Sequence, residues 1–79
     1  MISLFIHLPS GESHKLKVPS NYGRTVLNIA ECLRADLQKT GVMFFEVDND
    51  KLELIKLEWL IVPREVLLRS TFSIREIEG

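Results

Sequence analysis

The sequence predicts an α+β fold in which a mixed sheet of four or five strands packs on one α-helix. Two N-terminal segments alternate between apolar and polar side chains around a turn rich in Pro, Ser and Gly. A central segment repeats its apolar residues at helical spacing, and the later apolar runs are short and rich in β-branched and aromatic residues. A helix laid across one face of a sheet buries both apolar faces at once. The 79 residues are enough for one hydrophobic core, so we expect a single domain over 1–79.

The first two strands are predicted as a hairpin. Residues 2–8 alternate in polarity, which points Phe5 and His7 away from the isoleucines and leucines of the same strand. Residues 9–12 have the composition of a turn, and residues 14–18 alternate again. The hairpin therefore has one buried face.

The predicted helix follows at Thr25, whose hydroxyl can accept a backbone N–H of the first turn. Gly41 suits the C-terminal end of that helix. Cys32 lies at the edge of the apolar stripe, where a small hydrophobic role is expected for it and not that of a nucleophile. The stripe itself consists of Val26, Ile29, Ala30, Leu33 and Leu37.

The second half of the chain is predicted as a series of short elements. Pro63 separates the last two of them, and the final residues, about 75–79, are expected to form a frayed tail. In chain order the elements are a strand over 42–47, a turn over 48–50, a short strand over 51–54, a helical turn and loop over 55–62, and a long strand over 66–74.

This order of elements resembles the ubiquitin-like β-grasp family over nearly the whole chain. The resemblance rests on residues 2–6, 16–20 and 57–61 and on the helix motif that begins Thr25-Val26. Two departures are the short link after the helix and a C-terminus that reads Glu78-Gly79 instead of Gly-Gly. Within that family the chain is similar in length, and in its lack of a di-glycine tail, to the ubiquitin-like accessory proteins of type VII secretion systems. The family fold implies that the first and last strands are neighbours and that the third strand lies beside the last.

The exposed face of such a sheet is the predicted site, because ubiquitin-like proteins bind partners there and exposed apolar patches mark interaction sites. If the third strand turns Phe45 inward, Phe44 points outward; a register shifted by one residue would instead place Phe44 in the core. The predicted partner-binding residues are an apolar patch of Phe5, Phe44 and Leu67 with a rim of His7, Glu46 and Arg69.

The C-terminal Gly79 suggests a second kind of site. Modifiers and sulfur carriers of this fold are activated at a terminal glycine, which without a side chain can enter a narrow active site. The acidic residue before Gly79 departs from that pattern. Conjugation at Gly79 is therefore an alternative to partner binding.

Composition argues against several other classes. Ten basic and eleven acidic residues are scattered along the chain, whereas nucleic-acid binders concentrate positive charge on one face. We expect no membrane insertion, because no stretch approaches the ~20 apolar residues of a membrane span. The acidic turn over 48–50 lacks the glycine and the ligand spacing of a calcium loop, so neither a metal nor a cofactor is expected. The single cysteine excludes an intrachain disulfide and favours a cytoplasmic location.

The function predicted from the sequence is a non-catalytic ubiquitin-like protein-interaction module, free-standing or a subunit of a larger complex, whose partners are other proteins. The hydrophobic fraction of 46% is generous for so small a core and indicates apolar side chains on the surface. The alternatives are a covalent modifier or sulfur carrier activated at Gly79, and a structural homodimer in which the apolar sheet face pairs with itself.

Overall fold

The computed structural model describes residues 1–39, 41–49 and 57–77. Within them the chain is α+β, with one main helix packed on antiparallel sheets. The elements are β1 Ile2–His7, β2 Ser13–Leu16, a 3-10 turn Ser20–Tyr22, α1 Val26–Lys39, β3 Val42–Glu46, β4 Trp59–Pro63, α2 Arg64–Leu67 and β5 Thr71–Glu76. The strand predicted over 51–54 lies outside the described residues.

The strands form two sheets, each built from antiparallel pairs. β1 is the central strand of the first sheet, with β2 on one side and β5 on the other. β3 and β4 form the second sheet. An antiparallel bridge from Leu16 to Val47 joins the end of β2 to the end of β3, and the backbone N–H of Lys17 donates to the carbonyl of Glu46 at 2.9 Å.

This arrangement differs from the expected sheet in two respects. The expected mixture of parallel and antiparallel pairs is not seen among the described strands, all of which pair in antiparallel fashion. The first and last strands are neighbours as expected, but β3 lies beside β2 and not beside β5. The physical reason is the hydrogen bonding at the end of β2, where the backbone groups of Lys15 and Lys17 bond to those of Asp48 and Glu46.

Helix α1 begins where the sequence predicts. The backbone N–H of Asn28 donates to the Thr25 hydroxyl at 3.2 Å, so Thr25 acts as the N-cap. Ile29 and Leu33 are buried, and the rest of the predicted stripe is half-buried beside them. The apolar stripe therefore packs on the sheets.

Replacing Thr25 by alanine is expected to lower the free energy of unfolding by about 1 kcal/mol, because the first turn of α1 loses its side-chain acceptor. Urea unfolding followed by circular dichroism measures the change. Thr25→Ser keeps the hydroxyl and should unfold close to wild type. Equal losses in both variants would show that the methyl group, and not the cap, stabilises this end.

One core unites both sheets and the helices. Leu4, Ile6 and Ile29 are at most 1% exposed. The rings of Phe45 and Phe72 lie 5.6 Å apart at 50°, a tilted contact that joins β3 to β5 through the interior. The remaining buried apolar residues are Leu16, Tyr22, Leu33, Met43, Val47, Val62 and Leu67.

Two predicted elements are wrong in part. Part of the segment predicted as a helical turn and loop is strand β4, which pairs with β3 along its whole length. The start of the long strand predicted over 66–74 is helical, because α2 follows Pro63 and the Ser70 hydroxyl donates back to the carbonyl of Val66 at 2.6 Å. Only Thr71–Glu76 is extended.

The C-terminal segment is ordered further than predicted. Arg75 and Glu76 belong to β5. The amide of Ile77 donates to the Met1 carbonyl at 2.8 Å, and the Met1 amino group donates to the Ile77 carbonyl at 3.0 Å. The pairing of β1 with β5 therefore continues through Ile77.

Candidate functional site

The second sheet presents an apolar outer surface. Its register pairs Phe44 with Ile61, and the neighbouring residues Phe45 and Leu60 point to the core side. Since side chains alternate along a strand, every second residue of both strands lies on the outer side. This surface, the β3–β4 face, consists of Val42, Phe44 and Glu46 on β3 and Trp59, Ile61 and Pro63 on β4.

The large side chains of the β3–β4 face are exposed to an unusual degree. Phe44 is 63% exposed, Trp59 53% and Ile61 64%. Single exposed apolar residues are normal, but here they are cross-strand neighbours and form one contiguous patch. Contiguous patches with aromatic side chains at their centre are typical of protein–protein interfaces.

The β3–β4 face has a charged residue at one end only. Glu46, opposite Trp59 in the register, accepts a hydrogen bond from Lys17 Nζ at 2.8 Å. This hydrogen bond and the attraction of the carboxylate raise the pKa of Lys17 above its ordinary 10.5. A second ion pair, Lys15 with Asp48 at 3.6 Å, lies beside it. The acidic group of the face is therefore neutralised within the chain.

A cleft adjoins this charged end. It has a volume of about 250 Å³ and lies between strands β3 and β4 on one side and the segment that leads from β2 toward α1 on the other. Phe44 and Trp59 belong to both the cleft and the β3–β4 face. The other lining residues are Lys17, Val18, Pro19, Ser20, Phe45 and Glu46. The flat face thus has a hollow at its edge that can receive a side chain.

The sequence predicts two of the six residues of this surface, Phe44 and Glu46. The predicted phase of the third strand is confirmed, since Met43, Phe45 and Val47 are buried while Phe44 is exposed. Glu46 lies on the face, as predicted. The sequence does not predict Trp59 and Ile61 as site residues, because it predicts a helical turn and loop where the structure has β4. The signal that could have found them is the continuous apolar run 59–62, which has no alternation because both faces of β4 are apolar.

Two predicted site residues lie elsewhere. Leu67 is only 6% exposed and belongs to the core, so it is not part of any surface patch. It is buried because residues 64–67 are helical, which breaks the alternation extrapolated backward from β5. Arg69 follows α2 and is exposed in the turn before β5, where it lines a separate cleft with Leu8 and Val66.

Phe5 and His7 lie on the outer side of the first sheet, as predicted, but not on the sheet that carries Phe44. The guanidinium carbon of Arg75 lies 5.1 Å from the centre of the Phe5 ring, within the range of a cation–π contact. Phe5 is half-buried there. The predicted cluster of Phe5, Phe44 and Leu67 is therefore not formed.

The ring of His7 is held by two serines from neighbouring strands. Its Nδ1 lies 2.7 Å from the Ser13 hydroxyl, and its Nε2 lies 2.9 Å from the Ser73 hydroxyl. A catalytic Ser–His pair usually has a carboxylate on the second ring nitrogen, which orients the base. At His7 a second serine occupies the position of that carboxylate. The three side chains therefore form a row of hydrogen bonds that links β2, β1 and β5.

The remaining predicted positions add no further group to the site. Cys32 is a half-buried free thiol packed against the core, which agrees with the predicted structural role. Across 1–39, 41–49 and 57–77 no three His, Cys, Asp or Glu side chains are grouped to hold a metal ion. Gly79 lies outside the described residues, so conjugation there stays a prediction.

Neither α1 nor α2, the helices of the described residues, has the length and apolar character needed to cross a membrane.

No family model matches this chain, and neither a curated protein nor a solved structure is significantly similar to it. The functional interpretation therefore depends on the geometry of the chain itself.

Proposed function

We propose that this chain is a non-catalytic protein-interaction module that binds protein partners, whether other proteins or a further copy of itself, through the β3–β4 face, alone or as a subunit of a larger complex. The observation that carries the proposal is the exposed cross-strand pair of Phe44 and Ile61, with Trp59 beside it on the same face. These are large apolar side chains on regular strands, where the backbone holds them in a defined arrangement.

The distribution of apolar side chains along β4 supports the proposed binding surface. Leu60 and Val62 point inward and attach the strand to the core, whereas Trp59 and Ile61 lie outside the core and are exposed. Exposed apolar groups on a sheet favour aggregation, and edge strands usually carry charged residues for that reason. An apolar outer surface that brings this risk is explained by a partner that covers it.

A ubiquitin-like β-grasp relationship remains part of the proposal. The N-terminal hairpin, the capped helix and the adjacency of β1 and β5 support it. The position of β3 beside β2 and the antiparallel pairing of β1 with β5 depart from it. The proposed binding surface does not depend on whether the chain is related to this family, since the surface consists only of residues of β3 and β4.

Affinity capture tests the proposal. A tagged chain is incubated with extract from its own source cells, next to an Ile61→Lys variant. Because a lysine at the centre of the face must be desolvated on binding, we expect at least a tenfold loss of the specifically captured proteins, including untagged copies of the chain.

Leu68→Lys is the matched control, since Leu68 is 72% exposed but lies at the C-terminal end of α2, outside the two strands that form the face. It should capture the same proteins as wild type. Circular dichroism verifies that all three chains are folded. If Ile61→Lys retains every partner, or if the wild-type chain captures nothing, the proposed function is wrong.

A further inference from the structure

The β3–β4 face has the charge distribution of a self-complementary surface. Its centre is the Phe44–Ile61 pair, and neither these residues nor Val42 and Pro63 at one end of the face carry a charge. Its one acidic residue, Glu46, is at the end and is paired with Lys17 of the same chain. When two copies of a surface meet around a two-fold axis, any uncompensated charge near the axis faces its own equivalent and repels it. This face avoids that penalty.

The size of the face suits an interface between two small chains. Because a buried aromatic side chain covers ~150–250 Å², the exposed parts of Phe44 and Trp59 together with their aliphatic neighbours offer roughly 500 Å². That is near the upper end of the largest patches on monomers, about 300–600 Å². A stable interface buries about 800 Å² per partner, of which a central apolar part and a polar rim are both components.

Resting on the proposed function above, we propose that the partner at this face is a second copy of the chain. The two β3–β4 faces pack against each other as two stacked sheets, whose usual separation of about 10 Å lets the side chains interdigitate. A hydrophobic fraction of 46% in only 79 residues fits this arrangement, because small domains without disulfides often gain stability by association.

Sedimentation equilibrium and light scattering test the proposal with the full chain. The wild-type protein should have twice the 9.1 kDa mass of one chain, with a Kd of about 10 µM or tighter. Ile61→Lys should weaken association about 100-fold, because two lysines then meet at the centre of the interface. Leu68→Lys should dimerise like wild type. If Ile61→Lys does not fold, Phe44→Ser replaces it and should weaken association about tenfold.

The single tryptophan reports directly on the face, because Trp59 is part of it. Its emission should shift to shorter wavelength as the wild-type concentration passes through the Kd, and should not shift in Ile61→Lys. A wild-type monomer at about a hundred times that concentration overturns the proposal, and so does a dimer that persists unchanged in Ile61→Lys.

The outcomes also separate this proposal from the proposed function. A monomer that still captures other proteins in an Ile61-dependent manner leaves the interaction function standing and removes only the second copy as the partner. A monomer whose Trp59 emission is already that of a buried indole indicates that the same chain covers the face. That result overturns both proposals.

Discussion

Leu67→Ala is expected to lower the free energy of unfolding by about 2–4 kcal/mol, because it leaves a cavity where a 6% exposed leucine packs in the core. A domain of this size has a total stability of only about 3–5 kcal/mol. The variant should therefore retain only about 1 kcal/mol of stability, so that a measurable fraction of it is unfolded near physiological temperature. Urea unfolding followed by circular dichroism and by Trp59 emission measures the change.

The adjacent residue supplies the control. Leu68 is 72% exposed, so Leu68→Ala removes the same atoms from a surface position and should change stability by less than about 0.5 kcal/mol. The comparison also tests the secondary structure. If α2 were the extended strand predicted from the sequence, Leu68 would point inward and Leu67 outward, and the sizes of the two effects would be reversed.

Tyr22→Phe is expected to cost about 1–2 kcal/mol at neutral pH. The part-buried Tyr22 hydroxyl donates a hydrogen bond to the Asp36 carboxylate and so ties the turn before the helix to α1. Phenylalanine keeps the ring packed in the core but removes the donor. Asp36→Asn retains an acceptor without the charge and should cost less than Tyr22→Phe.

The same contact predicts how stability changes at alkaline pH. Burial first, and then the hydrogen bond to Asp36, raise the pKa of Tyr22 well above its ordinary 10.0. Because the native pKa is higher than the unfolded one, the stabilisation is complete below pH 10 and is lost progressively as the pH rises above it. For one group whose pKa is raised by folding, the free energy of unfolding can fall by at most ~1.4 kcal/mol for each pH unit above the unfolded pKa. Because the hydroxyl is partly accessible to solvent, we expect a loss of about 1 kcal/mol by pH 11.

The difference in stability between wild type and Tyr22→Phe isolates this effect. The lysines titrate in the same range and are common to both proteins, Lys17 with its raised pKa included. The difference should therefore narrow between pH 8 and pH 11, by about 1 kcal/mol. Tyr22 is the single tyrosine, so ultraviolet absorbance follows its ionisation in the native protein. A difference that stays constant with pH would mean that folding does not shift its pKa.

The elements predicted correctly are those with signals confined to a few neighbouring residues. The hairpin of β1 and β2 follows from alternation around a short turn, and α1 follows from the Thr25 cap and its apolar stripe. The inward phase of Met43, Phe45 and Val47 was also predicted correctly. In each case adjacent residues determine which side chains share a face.

The candidate site was predicted only in part, because its second strand has no alternation. β4 is apolar on both faces, so periodicity distinguishes it neither from a loop nor from a helical turn. The run Val66-Leu67-Leu68 is equally ambiguous, since either leucine can be the buried one until the backbone conformation is known. The helical conformation of α2 decides for Leu67.

Local patterns in the sequence are enough to predict the N-terminal hairpin, the capped helix and the outward direction of Phe5, His7 and Phe44. The tertiary structure alone decided which of these share a surface. Phe44 lies on the same face as Trp59 and Ile61 because β3 pairs with β4. His7 is instead held between Ser13, which is 6 residues away in the chain, and Ser73, which is 66 residues away. The physical reason is that strand order depends on backbone hydrogen bonds between segments distant in sequence, such as the bridge from Leu16 to Val47, which local periodicity does not record.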